Sequence, residues 1–321
     1  MRRPHRSRVL GGTAADYNVS LGRVASVWDR SGCVVAADCD MDSNTNYVCR
    51  WPNGALSKMP QWARVPEGRC QLCQQDGPLQ VSHILPKALY RYVRTSGGGN
   101  TIEVTKDRIQ RSSKQATAHL LCSACEQRFN ENGERWMLRQ GYRGQGRFRL
   151  RETLVRAAPF GRMDDGLAYS AVVIPEIDVR KITYYASSIF WRASVCSSNG
   201  EENQPKLGER YECQFREYLL GNADFPLSAV LVVQVAKAES PLQAFCFPFS
   251  QRHAGGYHQH TFLAQGVLFW LFVGGRLLPR RLCIVRSPEQ FIFLSDKVDP
   301  LAQSAAIDLM AAAMSNGRTR C

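Results

Sequence analysis

Two C-x-x-C pairs, CQLC at 70–73 and CSAC at 122–125, constrain this chain more than any other feature. Each pair on a tight turn presents two thiolates, and two pairs complete a tetrahedron around one Zn²⁺, leaving no position for substrate. Such a site is structural. It ties the chain near Cys70 and Cys73 to the chain near Cys122 and Cys125 and fixes whatever lies between. That insert has 48 residues, more than a minimal ribbon requires, so the staple encloses further structure. Four unrelated buried cysteines, or a redox pair, are the competing account. The other eight cysteines are scattered singly, a usage that suits a reducing compartment and buried thiols rather than a disulfide framework.

Inside the insert, residues 79–85 read as a short strand. Pro86 suits the first turn of a helix, where its missing N–H has no partner to lose, and this helix runs to about residue 94 before Ser-Gly-Gly-Gly-Asn. Residues 101–105 are rich in β-branched side chains, and 118–121 form a second strand leading into Cys122. From Cys125 a helix runs through EQRFNENGERWMLRQ, with Phe129, Trp136 and Met137 as its inward stripe despite Gly133. His83 lies on the first strand. A lone histidine on an apolar strand is ordinarily a core residue. Here its strand enters a basic helix, and the second knuckle enters a helix with Glu126 and Asn130 four apart on one face.

The segments CQLC at 70–73, SHILP at 82–86 and LLCSACE at 120–126 resemble the HNH endonucleases, whose ββα-metal fold is often stapled by a C-x-x-C…C-x-x-C zinc site. Within that family they are similar to a branch with Ser-His-Ile-Ile-Pro-Lys and a terminal Cys-Glu. The resemblance spans residues 64 to about 140. It implies that Cys70, Cys73, Cys122 and Cys125 hold structural Zn²⁺ and that His83 is the general base that takes a proton from the attacking water. An ordinary histidine pKa of about 6.5 suits that task. Glu126 stands where the family commonly has an asparagine that binds the catalytic divalent ion, Mg²⁺ or Mn²⁺, and Asn130 is a further ligand candidate. On this reading the staple sets the His83 imidazole opposite the Glu126 carboxylate. Ser82 occupies the place of the family's acidic ligand, and Thr117 that of its middle asparagine, with His119 nearby.

The formal charge of +13 favours a polyanionic partner, and it is unevenly placed. Residues 64–157 carry 17 Lys and Arg against 8 Asp and Glu, whereas residues 158–321 carry 16 against 15. Lys87, Arg91 and Arg94 recur along one helix face, and Arg139, Arg143, Arg147, Arg149 and Arg151, with Tyr142 and Phe148 interleaved, extend the basic run. Nucleic acid, DNA before RNA, is the partner this pattern favours; solvated helix faces are the plainer alternative. MRRPHRSRVLGGTAADY has no apolar region after its basic start, and no stretch is long enough to cross a bilayer. A cytoplasmic protein without membrane attachment is expected.

The expected fold class is α+β: a zinc-stapled, ββα-metal (HNH-like) domain over 64–157 followed by a separate α+β domain over 158–321. Residues 1–63, rich in Gly, Ser, Asn and Asp, read as a weakly ordered extension in which Cys33, Cys39 and Cys49 match no common metal spacing. The C-terminal region reads as helices over 182–195 and 208–220, strands over 229–236, 243–249, 257–273, 283–286 and 290–294, and a closing helix over 302–314. HAGGYHQH offers His253, His258 and His260 as a second candidate metal cluster. The function these features favour is an HNH-like endonuclease with His83 as base, whose C-terminal domain recognises a protein partner or regulates access. A part in phage defence or a mobile element follows by analogy alone. The alternatives are an inactive zinc-ribbon protein that binds nucleic acid, and a zinc-clipped protein-interaction platform.

Overall fold

An eight-residue run, AVLVVQVA at 229–236, is buried at every position, and a mixed sheet is arranged about it, as a strand covered on both faces requires. The computed structural model describes residues 39–41, 47–50, 56–58, 66–96, 101–105, 108–112, 115–196, 206–239, 241, 243–253, 256–274, 280–301, 304 and 311. Most of the 1–63 extension, and most of the helix expected over 302–314, lie outside these residues.

Three short strands, β1 (Cys39–Met41), β2 (Tyr47–Arg50) and β3 (Leu56–Lys58), form an antiparallel sheet near the start of the chain. A hairpin of β4 (Glu67–Arg69) and β5 (Asp76–Pro78) carries the first cysteine pair. Next come β6 (Gln80–His83), α1 (Lys87–Ser96), the hairpin β7 (Thr101–Thr105) with β8 (Arg108–Ser112), and β9 (Thr117–Leu121), which pairs antiparallel with β6. Helix α2 (Ser123–Phe129) leads through a π-helical turn at Asn130–Glu134 into α3 (Arg135–Gln140), and α4 (Arg149–Arg156) follows. The wider turn falls at Gly133, where a Cβ would sit 2.7 Å from the backbone N of Tyr185, so only glycine allows this close a crossing.

The seven-stranded sheet begins with β10 (Gly161–Met163) and β11 (Gly166–Ser170). After α5 (Val179–Val195) and α6 (Glu209–Leu220) it continues with β12 (Ala229–Ala236), β13 (Phe245–Arg252), β14 (His258–Ala264), β15 (Val267–Val273) and β16 (Phe291–Ser295). Its order is β10-β11-β16-β12-β15-β14-β13, antiparallel throughout except for β12 beside β16. Asp178 caps α5 by accepting from the Lys181 N–H at 3.0 Å. The helix then lays Tyr185 and Phe190 against Phe262 and Phe269 of the sheet. The architecture is mixed α+β, and one buried cluster runs from Cys70 to Val298 without a break at residue 157.

Two expected strands differ in the structure. The 257–273 run folds back at Gln265 and Gly266, both left-handed with φ 51° and 72°, a two-residue turn whose twist matches the hairpin it joins. Residues 283–286 form a turn after a 3₁₀ segment, because Ser287 N–H bonds back to Cys283 O at 3.0 Å and only Ile284 reaches β12.

Candidate metal centre and the adjoining polar site

Backbone hydrogen bonds shape each cysteine pair into a tight turn. In the first, Cys70 N–H donates to Gln75 O and Gln74 N–H to Cys70 O, both at 2.9 Å. Gln74 closes it with φ 63°, uncommon outside glycine, and its side-chain amide donates to Gln71 O at 2.6 Å. In the second, Cys122 caps α2, and the N–H groups of Cys125 and Glu126 return to Cys122 O at 3.1 Å. Gln71 N–H donates to Leu120 O at 2.9 Å, joining the first turn to the strand that delivers the second.

The four sulfurs lie within 4.8 Å of one another. Cys73 Sγ and Cys122 Sγ, one from each pair, are 3.9 Å apart. Sulfurs about 2.3 Å from a tetrahedral zinc would be separated by about 3.8 Å, so the set can hold one metal ion such as zinc. Burial pushes the Cys70 thiol up, but the backbone groups of Cys122, Cys73 and Leu72 outweigh it and leave it below its ordinary value. Burial holds Cys73 above its ordinary value against the opposing Gln75 backbone group, with Cys70 adding to it, and burial with the Cys122 and Cys70 sulfurs holds Cys125 above its own. Thiolates this close repel, and a cation between them removes the repulsion.

His83 ends β6, which pairs with β9, the strand that leads into the second cysteine turn; His83 lies opposite Thr117 at the end away from it. Side chains alternate along a strand, so Ser82 and His83 leave it on opposite faces. Ser82 is fully buried on the side of α2, where its hydroxyl lies near the Glu126 carboxylate. The side chain facing Glu126 is therefore Ser82; the His83 imidazole leaves the strand end on the other side, so the expected opposition of imidazole and Glu126 carboxylate is not found, because neighbouring strand residues alternate between faces. Its Nε2 is 2.6 Å from Gln115 Oε1, and its ring centroid is 6.2 Å from that of Tyr90. A carbonyl oxygen only accepts, so Nε2 carries the proton and the neutral ring keeps its lone pair on Nδ1. Burial lowers the pKa of His83; the Gln115 bond opposes this, while the charges of Lys87 and Arg192 add to it. The imidazole is neutral near pH 7.

Burial raises the pKa of Glu126 against the opposing pull of the Arg192 charge and the Ser82 hydroxyl. Its Oε1 and Ser82 Oγ are both buried without a well-formed hydrogen bond, close enough to feel each other but not aligned to pair. Three residues not singled out by sequence reasoning, Gln115, Glu134 and Arg192, organise this region. Gln115 lies just before β9. Arg192 of α5, 1% exposed, donates from Nη1 to the His83 carbonyl at 2.7 Å and pairs through Nη2 with Glu134 of the π-helical turn. Arg192 Nε also donates to Ser188 O at 3.3 Å, and its guanidinium carbon lies 5.2 Å from the Phe129 ring centroid.

The other expected site residues are dispersed. Asn130 is exposed at the end of α2, with its backbone N–H returned to the helix. Among the described residues, the four cysteines are the only group of three or more His, Cys, Asp or Glu side chains near enough to share an ion. Lys87 and Arg91 are exposed on α1, Arg139 and Arg143 are exposed beyond it, and the Arg94 side chain lies outside the described residues. Arg143 and Arg147 bracket a turn of three left-handed residues, Gly144, Gln145 and Gly146, and both charges act on the Tyr92 phenol of α1, so this basic turn flanks the helix. Arg151 turns instead to Lys237 O at 2.6 Å, and Tyr142 and Phe148 are buried in the core, unavailable to bases. The three histidines also separate: His260 is buried against Ser250, His253 stacks on Tyr257, and His258 is exposed.

Among the described residues no helix is long and apolar enough to cross a membrane. Compared with protein-family models, with curated proteins and with solved structures, the chain matches none.

Proposed function

We propose that this chain is a zinc-stapled endonuclease of the HNH type, cutting phosphodiester bonds of DNA with His83 as general base and a divalent ion at Glu126. The observation that carries the reading is the juxtaposition at the end of β6. The two positions that the resemblance assigns to metal ligands, 82 and 126, face each other with buried, unpartnered oxygens, and His83 is the next residue along the strand. Hard oxygen donors of this kind suit Mg²⁺ or Mn²⁺.

The roles follow from chemistry. His83, neutral and protonated on Nε2 by its bond to Gln115, takes a proton from water at Nδ1. A divalent ion bound at Glu126 would supply charge stabilisation to the phosphoryl group and leaving oxygen. Lys87 and Arg91 on α1, with Arg143 and Arg147 beside them, hold the phosphate backbone.

Ser82 in place of a carboxylate, together with the absence of a second cluster of three ligands among the described residues, favours a second reading in which the domain binds DNA without cutting it. Plasmid nicking in Mg²⁺ and in Mn²⁺ separates them. The nuclease reading expects His83→Ala to lose at least about a hundredfold in rate with DNA affinity and zinc content unchanged. Wild-type protein that binds plasmid yet never nicks it, or His83→Ala cutting at the wild-type rate, removes that reading.

A further inference from the structure

We propose that Arg192 is a positioning residue for His83, so that the C-terminal part of the chain aims the imidazole of the N-terminal part. This deepens the nuclease reading and rests on His83 being the base.

Arg192 is the only charged residue between Ile182 and Val195, in a helix otherwise committed to the core, and it is 1% exposed. A charge buried to that degree requires partners for its whole fork, and it has them on three elements. Nη1 donates to the main-chain carbonyl of His83 at 2.7 Å, Nη2 pairs with Glu134 and lies 3.5 Å from Ser188 Oγ, and Nε donates to Ser188 O at 3.3 Å. The contact with residue 83 is to backbone, at the strand terminus where the chain turns toward α1. Gln115 holds the ring at its far end, and Arg192 holds the peptide from which the side chain springs. Two anchors fix both the direction of the imidazole and the nitrogen that carries the proton. Gly133, through its close crossing with Tyr185, brings the turn bearing Glu134 against α5 and completes the frame.

The test uses the full chain. Arg192→Lys keeps the charge but lacks the planar fork that reaches His83 O and Glu134 together. The expected result in plasmid nicking is a fall in kcat of about tenfold to a hundredfold, with KM and zinc content within about twofold of wild type. Nitrogen NMR of the imidazole supplies a readout that needs no cleavage. Wild type is expected to show a protonated Nε2 and an unprotonated Nδ1, and Arg192→Lys to move both resonances toward the average of exchanging tautomers. Glu134→Gln, which leaves an oxygen for the guanidinium, is the milder variant should Arg192→Lys not fold, with a smaller movement in the same direction. Wild-type kcat in a folded Arg192→Lys protein, or His83 resonances identical in wild type and both variants, overturns the proposal. If wild type does not cut, the base assignment falls separately, and the NMR comparison still decides whether Arg192 orients His83.

Discussion

His260 illustrates how a single side chain in this fold departs from what its sequence neighbours suggest. It sits in HAGGYHQH beside two other histidines, yet it is fully buried, its Nδ1 2.5 Å from Ser250 Oγ and its ring against Phe190. Burial, with a smaller contribution from His258, lowers its pKa from 6.5 to about 3. The folded protein therefore binds this proton less readily than the unfolded chain, so the associated stability is complete above pH 6.5 and is lost as pH falls toward 3. Between pH 6.5 and 5 the loss is on the order of 2 kcal/mol. Thermal melts of wild type and His260→Gln across that window are expected to diverge, wild type losing stability more steeply with acid. Parallel pH profiles would rule the effect out. At this scale the cysteine quartet was legible because spacing alone names its chemistry. Arg192, Glu134 and Gln115 were not: Arg192 and Gln115 meet His83 across 109 and 32 residues of chain, and Glu134 joins them only through Arg192, 58 residues away. Arg192 did leave one trace, a lone charge in an apolar helix.

At the scale of elements, α1 couples a buried face to an exposed basic one. Leu89 and Tyr90 are buried, and the Tyr90 hydroxyl accepts from the Ala116 N–H at 3.0 Å while its ring meets Phe245 of β13 at 5.1 Å. Lys87 and Arg91, four residues apart, share the outward face. If both contact phosphates, Lys87→Ala combined with Arg91→Ala lowers the slope of log K against log salt by about 2 in DNA titrations. An unchanged slope would mean that this face is only solvated. β6, α1, β9 and α2 were readable from periodicity, Pro86 and the cysteines that bound them. The break of the 257–273 run was not, because its turn uses a glutamine at positive φ inside an apolar stretch that otherwise continues. The π-helical turn was equally hidden: Gly133 looked like a weak point in a helix, and its reason is the backbone of Tyr185 on another helix.

At the scale of the molecule, the mixed α+β class was legible, whereas the continuity of the core was not. The change in composition near residue 157 is real, yet the elements around the four cysteines pack directly on α5, through Phe129 against Tyr184 and Trp191 and through Arg192, and on the large sheet, through Tyr90 against Phe245. Composition reports charge and texture; it does not report which apolar faces meet. The whole arrangement depends on four sulfurs drawing two remote turns together, so that β6 sets Ser82 toward Glu126 of α2 while His83 leaves the strand on the other face. The metal content of freshly purified protein, measured with that of Cys122→Ser, tests this most directly. The account predicts one zinc per wild-type chain, and for Cys122→Ser a loss of that zinc with a fall in thermal midpoint of more than about 10 °C. A folded wild-type chain without metal, or a Cys122→Ser protein with unchanged zinc and midpoint, would contradict it.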